Sequence, residues 1–143
     1  MTEIPKFVVP KEIWNKLLEI AKNNTSDIRV FTLFQERRKR YVIKDVGERK
    51  IKTDERGNVR YDDKEKYEKF YPEKDSNVRN CGSVWILPRD EDLELSLADA
   101  YWMGRDLVEI RILMKSNDKG EVSYKSYWTK DGDFFPIKVE IAP

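Results

Sequence analysis

The chain has no histidine, one cysteine and one glutamine among its 143 residues. Without histidine there is no Ser-His-Asp arrangement, no imidazole base for a cysteine nucleophile and no imidazole ligand for zinc. The lone Cys81 excludes an intramolecular disulfide and any Cys-rich metal site. No apolar run approaches the roughly 18 residues of a membrane span. The start, "MTEIPKF", lacks the charged head and apolar core of a signal peptide, so the chain reads as soluble and cytoplasmic, with no membrane partner. Gly-x-Gly-x-x-Gly, P-loop and Gly-x-Ser-x-Gly motifs are missing as well. Nor does either charge dominate: 28 Lys and Arg face 27 Asp and Glu. That balance removes the global basic footprint of a non-specific nucleic-acid binder and leaves only a local patch to consider.

What is present is a strongly charged yet foldable composition. Charged residues make up 38%, against about 25% in an average domain. Abundant Lys, Glu and Arg with scarce Gln suggest a thermophile. Hydrophobic residues at 39% and aromatics at 12% can build a core, and a chain of this length buries roughly 70% of its unfolded surface. Residues 1–143 therefore read as one domain.

"VPKEIWNKLLEIAKN" places Ile13, Leu17, Ile20 and Ala21 at helical spacing. "IRVFTLF" and "RYVIKDV" read as strands joined by the charged link "QERRK". "RKIKT" and "NVRY" read as a short hairpin, and "DDKEKYEKFY" as a small helix stopped by Pro72. Gly82 to Leu87 is apolar on both faces, as in a central strand. From Asp90 a helix is expected, with Leu93, Leu97, Ala100 and Tyr101 on one face and Gly104 at its stop. "LVEIRILM" alternates, and "NDKGE" and "KDGD" are hairpin turns leading to "VSYKSYW" and "FFPIKVEI". The fold class is α+β, a mixed sheet packed by helices and closed by a β-meander.

Several residues invite a chemical reading. Asp90, Glu91, Asp92 and Glu94 are read either as a divalent-cation site or as acids favoured at a helix N-terminus, with Asp90 as its N-cap. The second reading needs fewer assumptions, because no Ca²⁺-loop spacing accompanies them. Cys81, with no base to activate it, reads as structural. The most basic run, "ERRKR", offers Arg37, Arg38, Lys39 and Arg40 for phosphate contact, with Lys44, Arg49, Lys50 and Lys52 on the following ribbon; the alternative is a solvated turn. Tyr61, Tyr67, Tyr71, Tyr124 and Tyr127 are either stacking platforms or core. Trp102 and Trp128 are either interface anchors or second-layer packing.

The element order, with "GSVW" feeding "LPRDEDLELSL" and a meander ending "TKDGDFFPIKVEIAP", resembles the MPN (JAB/JAMM) domain. The resemblance implies an MPN/cytidine-deaminase-like architecture. Active members of that family are zinc isopeptidases that remove ubiquitin-like tags. They use an early Glu, a His-x-His-Pro strand, then a Ser and an Asp. Carried across, the histidine positions fall at about Trp85 and Leu87, with Pro88 following at once. The Ser falls on Arg89, the Asp on Asp92, and the early Glu near Ile28. A catalytic zinc needs three protein ligands and an open position for water, and only Asp92 matches. The resemblance therefore implies no metal, no cofactor and no isopeptidase. It implies instead a non-catalytic scaffold with a protein partner or a second copy of itself, binding through Trp85, Leu87, Pro88, Arg89 and Asp92, with Trp102 as a further candidate. Nucleic-acid binding through the basic ribbon is the alternative.

Overall fold

The apolar periodicities settle into ten strands and one helix in the computed structural model, which is described for residues 4–53, 55–56, 59–61, 78–95 and 109–143. Helix α1 (Lys11–Lys22) contains neither glycine nor proline. Pro10 stands just before it with φ −58°, where a missing N–H is harmless. Trp14, Leu17 and Ala21 are buried along one stripe, and Ile13, Leu18 and Ile20 flank them. At the other end Asn23 closes the helix, its Nδ2 donating to the Glu19 carbonyl at 3.0 Å.

A strand not expected from the sequence, β1 (Phe7–Pro10), precedes α1. It pairs in parallel with β10 (Val139–Ala142), Phe7 opposite Val139. Next come β2 (Arg29–Glu36), β3 (Ile43–Arg49), and the predicted hairpin of β4 (Ile51–Thr53) with β5 (Val59–Tyr61). They are followed by β6 (Val78–Ile86), β7 (Ile110–Ser116), β8 (Val122–Lys130) and β9 (Asp133–Ile137). The main sheet runs β3-β2-β6-β7-β8-β9. Its β6–β7 pair is parallel and the other pairs are antiparallel, so the sheet is mixed. The meander β7-β8-β9 matches expectation. Its "KDGD" turn places Asp131 and Gly132 at φ 54° and 83°, the left-handed pair that a two-residue hairpin requires.

Three expectations need correction. "FFPIKVEI" is two strands, divided at Lys138. Pro136 has no N–H to give, so its strand lies at the sheet edge, and the chain then leaves that edge to bury Val139 beside Phe7. Secondly, Asp90–Leu95 is not helical: a turn at Arg89 and Asp90 leads into irregular extended chain. Leu93 and Leu95 are buried while Asp92 and Glu94 are exposed, a period of two that lays alternate side chains on the sheet. Asp90 is therefore no N-cap. Thirdly, α1 is the only helix among the described residues, so helical packing is lighter than expected. The helix expected over 62–71, and the continuation towards Gly104 with Tyr101 and Trp102, lie outside those residues.

The sheet separates two apolar clusters. Facing α1 are Phe31, Leu33, Val84, Ile86, Ile110, Ile112, Met114 and Trp128. Each fully buried large aliphatic contributes about 1.5–3 kcal/mol. Trp128 is a core residue, tilted against Phe135 at 5.6 Å, and so no exposed anchor. On the opposite face Leu93 and Leu95 pack with Leu113 and Tyr127, bordered by Trp85, Leu87 and Phe134. Among the described residues no helix is long and apolar enough to cross a membrane.

Candidate functional site

The C-terminal end of β6 is fastened to two other parts of the chain. Leu87 N–H donates to the Met114 carbonyl at 2.8 Å, extending the parallel pairing one residue past the strand. The Leu87 carbonyl accepts from Asn24 Nδ2 at 3.2 Å, and that same nitrogen reaches the Asp27 carbonyl at 2.8 Å. Pro88 then turns the chain: Glu91 N–H returns to the Pro88 carbonyl at 3.1 Å, and Arg89 N–H donates to Thr25 at 3.0 Å. Arg89 Nε donates to Ser116 Oγ at 3.1 Å, whose own hydroxyl donates to the Asn24 carbonyl at 3.2 Å. The network thus joins the loop after α1, the end of β6 and the end of β7. Asn24 and Ser116 are its buried hubs. Neither was singled out from the sequence, although an Asn just past a helix end is a known stop signal.

Trp85 and Leu87 share a sheet face and are half-buried against the second apolar cluster. The Trp85 ring lies under the Arg111 guanidinium at 4.9 Å, and its Nε1 is buried without an acceptor among the described residues. Pro88 and Arg89 are half-buried, while Asp90, Glu91 and Asp92 are exposed. Glu94 is ion-paired to Lys125 at 3.0 Å and holds that lysine above its ordinary range. With no helix beginning at Asp90, these acids act as solvated charges. Among the described residues no three carboxylate, thiol or imidazole groups converge on a metal position.

Beside the network lies an open depression of about 360 Å³, lined by Glu19, Ile20, Asn23, Asn24, Asp27 and Arg29. Arg29 grips Glu48 with two hydrogen bonds of 2.8 and 2.7 Å, which raises its pKa further. Cys81 is buried and points its thiol at the Leu33 carbonyl, 3.5 Å away. Burial pushes that thiol up to about 12, with the Glu109 carboxylate adding to the rise. It is no nucleophile at neutral pH.

The other sequence candidates sit at the opposite end of β6. Arg37, Arg38, Lys39 and Arg40 form the exposed turn between β2 and β3. Lys44 is paired with Glu36 at 3.1 Å, and Arg49 is buried with Nη1 on Thr32. Of the tyrosines, Tyr127 is core and Tyr124 is exposed over Trp14; Tyr67, Tyr71 and the side chain of Tyr61 lie outside the described residues.

A crystal structure of a JAB1/MPN domain protein from Archaeoglobus fulgidus superposes with a TM-score of 0.58 at 14% identity, covering 97% of this chain and all of that one. The fold is MPN-like. A solution structure of a protein from Desulfitobacterium hafniense superposes with a TM-score of 0.66 at 11% identity, covering 95% of this chain and 92% of that one. No protein-family model and no curated protein matches the sequence. At these identities the likeness concerns architecture alone.

The sequence resemblance put the zinc-site positions at about Trp85, Leu87, Arg89 and Asp92, which lie at the end of β6 and in the turn after it. The side chains there do not fit the ion. An indole N–H is a donor without a lone pair to give, and Leu87 is apolar. Arg89 carries the wrong charge and Asp92 faces solvent.

Proposed function

We propose that this chain is a non-catalytic MPN-like module that binds another protein through the surface formed by Trp85, Leu87, Pro88, Arg89 and Asp92. The carrying observation is the set of groups at the end of β6. On the family resemblance the two histidine positions fall at about Trp85 and Leu87, and an indole and an isobutyl group offer zinc no lone pairs. The surface also has the chemistry of an interface: a half-buried Trp, a proline, and an exposed charged rim.

The test joins metal analysis, cleavage of isopeptide-linked diubiquitin, and capture of partners on the immobilised full chain. The reading predicts no stoichiometric zinc, no cleavage, and a protein retained at high salt that Asp92→Lys releases. Stoichiometric zinc together with cleavage would sink it. Nucleic-acid binding along the basic ribbon has weaker support. Lys44 is already paired and Arg49 is buried, which interrupts any cationic track between the turn and Lys50.

A further inference from the structure

The β2–β3 turn carries more cations than the acids described around it balance. Among the described residues no carboxylate pairs with Arg37, Arg38 or Lys39. Arg37 joins Arg40, Arg79 and Gln35 around an open depression of about 520 Å³. Two of these guanidinia already converge on one oxygen. Arg79 meets Glu109 Oε1 at 2.7 Å and Arg40 approaches it at 3.7 Å. Among the described residues, three arginines against the Glu109 carboxylate leave two positive charges in excess at the hollow.

Gln35 supplies a second, independent observation. It is 1% exposed, yet forms part of the wall. Its Oε1 accepts the Tyr41 N–H at 3.1 Å, while Nε2 has no acceptor among the described residues. A buried donor left unpaired is costly and calls for an explanation. β2 is irregular here: its pairing with β3 shifts register between Phe34 and Gln35, and its pairing with β6 shifts between Leu33 and Phe34. Such bulges re-aim side chains. Tyr41 is held at φ 68°, a conformation tyrosine seldom adopts. Gln35 Oε1, the Val8 N–H on the Tyr41 carbonyl at 2.9 Å, and the edge-on Phe7 ring lock it there. The turn is thus rigidly placed, and the arginines rise from a fixed base.

We propose that this hollow is a phosphate-monoester site for a small ligand, in which the guanidinia of Arg37, Arg40 and Arg79 hold the dianion and Gln35 Nε2 donates to one of its oxygens. Guanidinium forks match phosphate oxygens in geometry and charge. Two excess positive charges suit a terminal monoester better than a singly charged diester. The interrupted ribbon disfavours a long polyanion, and Arg40, which lies over the Tyr41 ring at 4.8 Å, makes the longer of the two contacts to Glu109 Oε1. This site is separate from the strand-end surface and does not depend on its partner.

Because Gln35 is the only glutamine, labelling the full chain with ¹⁵N-glutamine yields a single side-chain NH₂ signal. Titration with phenyl phosphate should move that signal saturably. Dimethyl phosphate should bind about tenfold more weakly, and R37E and R40E should each weaken phenyl phosphate by about tenfold. Both substitutions are at exposed positions, so folding is preserved. A static Gln35 signal, equal response to monoester and diester, or unchanged binding in R37E would overturn the proposal. So would a single-stranded oligonucleotide that binds more tightly than phenyl phosphate with a steep salt dependence, which would make the turn a nucleic-acid contact.

Discussion

The Tyr127 hydroxyl donates to the Leu93 carbonyl at 3.2 Å inside the second apolar cluster. This one bond ties the extended segment after the acidic run to β8. Replacing Tyr127 by Phe keeps the ring, and with it the edge-on contact to Phe134 at 5.8 Å, but strands a buried carbonyl. Urea unfolding of Tyr127→Phe should show a loss of about 1–2 kcal/mol. A neutral result would mean that this segment is not held as described.

Gly82 faces Ile110 across the parallel pair, and an added methyl would overlap the Ile110 carbonyl oxygen. The obstacle is backbone, which cannot rotate away. Gly82→Ala should cost about 3 kcal/mol, visible as a lowered Tm, whereas Gly47→Ala, where the methyl meets only the Phe34 ring at 3.5 Å, should be far milder.

The Cys81 thiol gives a pH prediction with a definite sign. Its folded pKa is raised from 9.0 to about 12, chiefly by burial. Stability from this group is therefore full below pH 9 and declines as pH rises from there towards 12, because only the unfolded thiol ionises. The slope is at most about 1.4 kcal/mol per pH unit. Subtracting the pH profile of Cys81→Ala isolates it from lysine and tyrosine titration. Maleimide should label native Cys81 only at the rate of opening.

Arg89 and Ser116 meet through a single hydrogen bond, with Ser116 handing its own proton to Asn24. A double-mutant cycle of Arg89→Ala and Ser116→Ala should give a coupling of about 0.5–1.5 kcal/mol. Asn24→Ala, which releases both the Asp27 and Leu87 carbonyls, should cost more than either single change. Additive energies for Arg89 and Ser116 would show that the strand end is not fastened as a unit.

Local patterns carried much of the fold. The spacing of Leu17 and Ala21 marked α1, and "NDKGE" and "KDGD" marked the turns of the meander. Leu93, however, is followed by apolar residues at both helical and alternating intervals. Leu93 with Leu97 reads as a helix and Leu93 with Leu95 as extended chain. Only the sheet face formed by Leu113 and Tyr127 decides between them, and that face is built from later strands. The same holds for β1, whose four residues have no pattern of their own and find a partner at Val139. The candidate site was legible by residue type but not by contact. Asn24 meets Leu87 across 63 positions and Ser116 across 92, distances at which no periodicity carries information. Gln35 stood out only as the sole glutamine, with nothing to indicate that its amide would be buried.

The pairing of β1 with β10 sets an order on how this molecule can be made. Phe7 and Val9, both fully buried, leave a ribosome well before the strand they pair with, which begins at Val139. While the intervening chain is made, the two apolar side chains lack the strand that completes their shelter. The nascent chain carries a sticky segment over that interval, and chaperone demand should fall only when Val139 clears the exit tunnel.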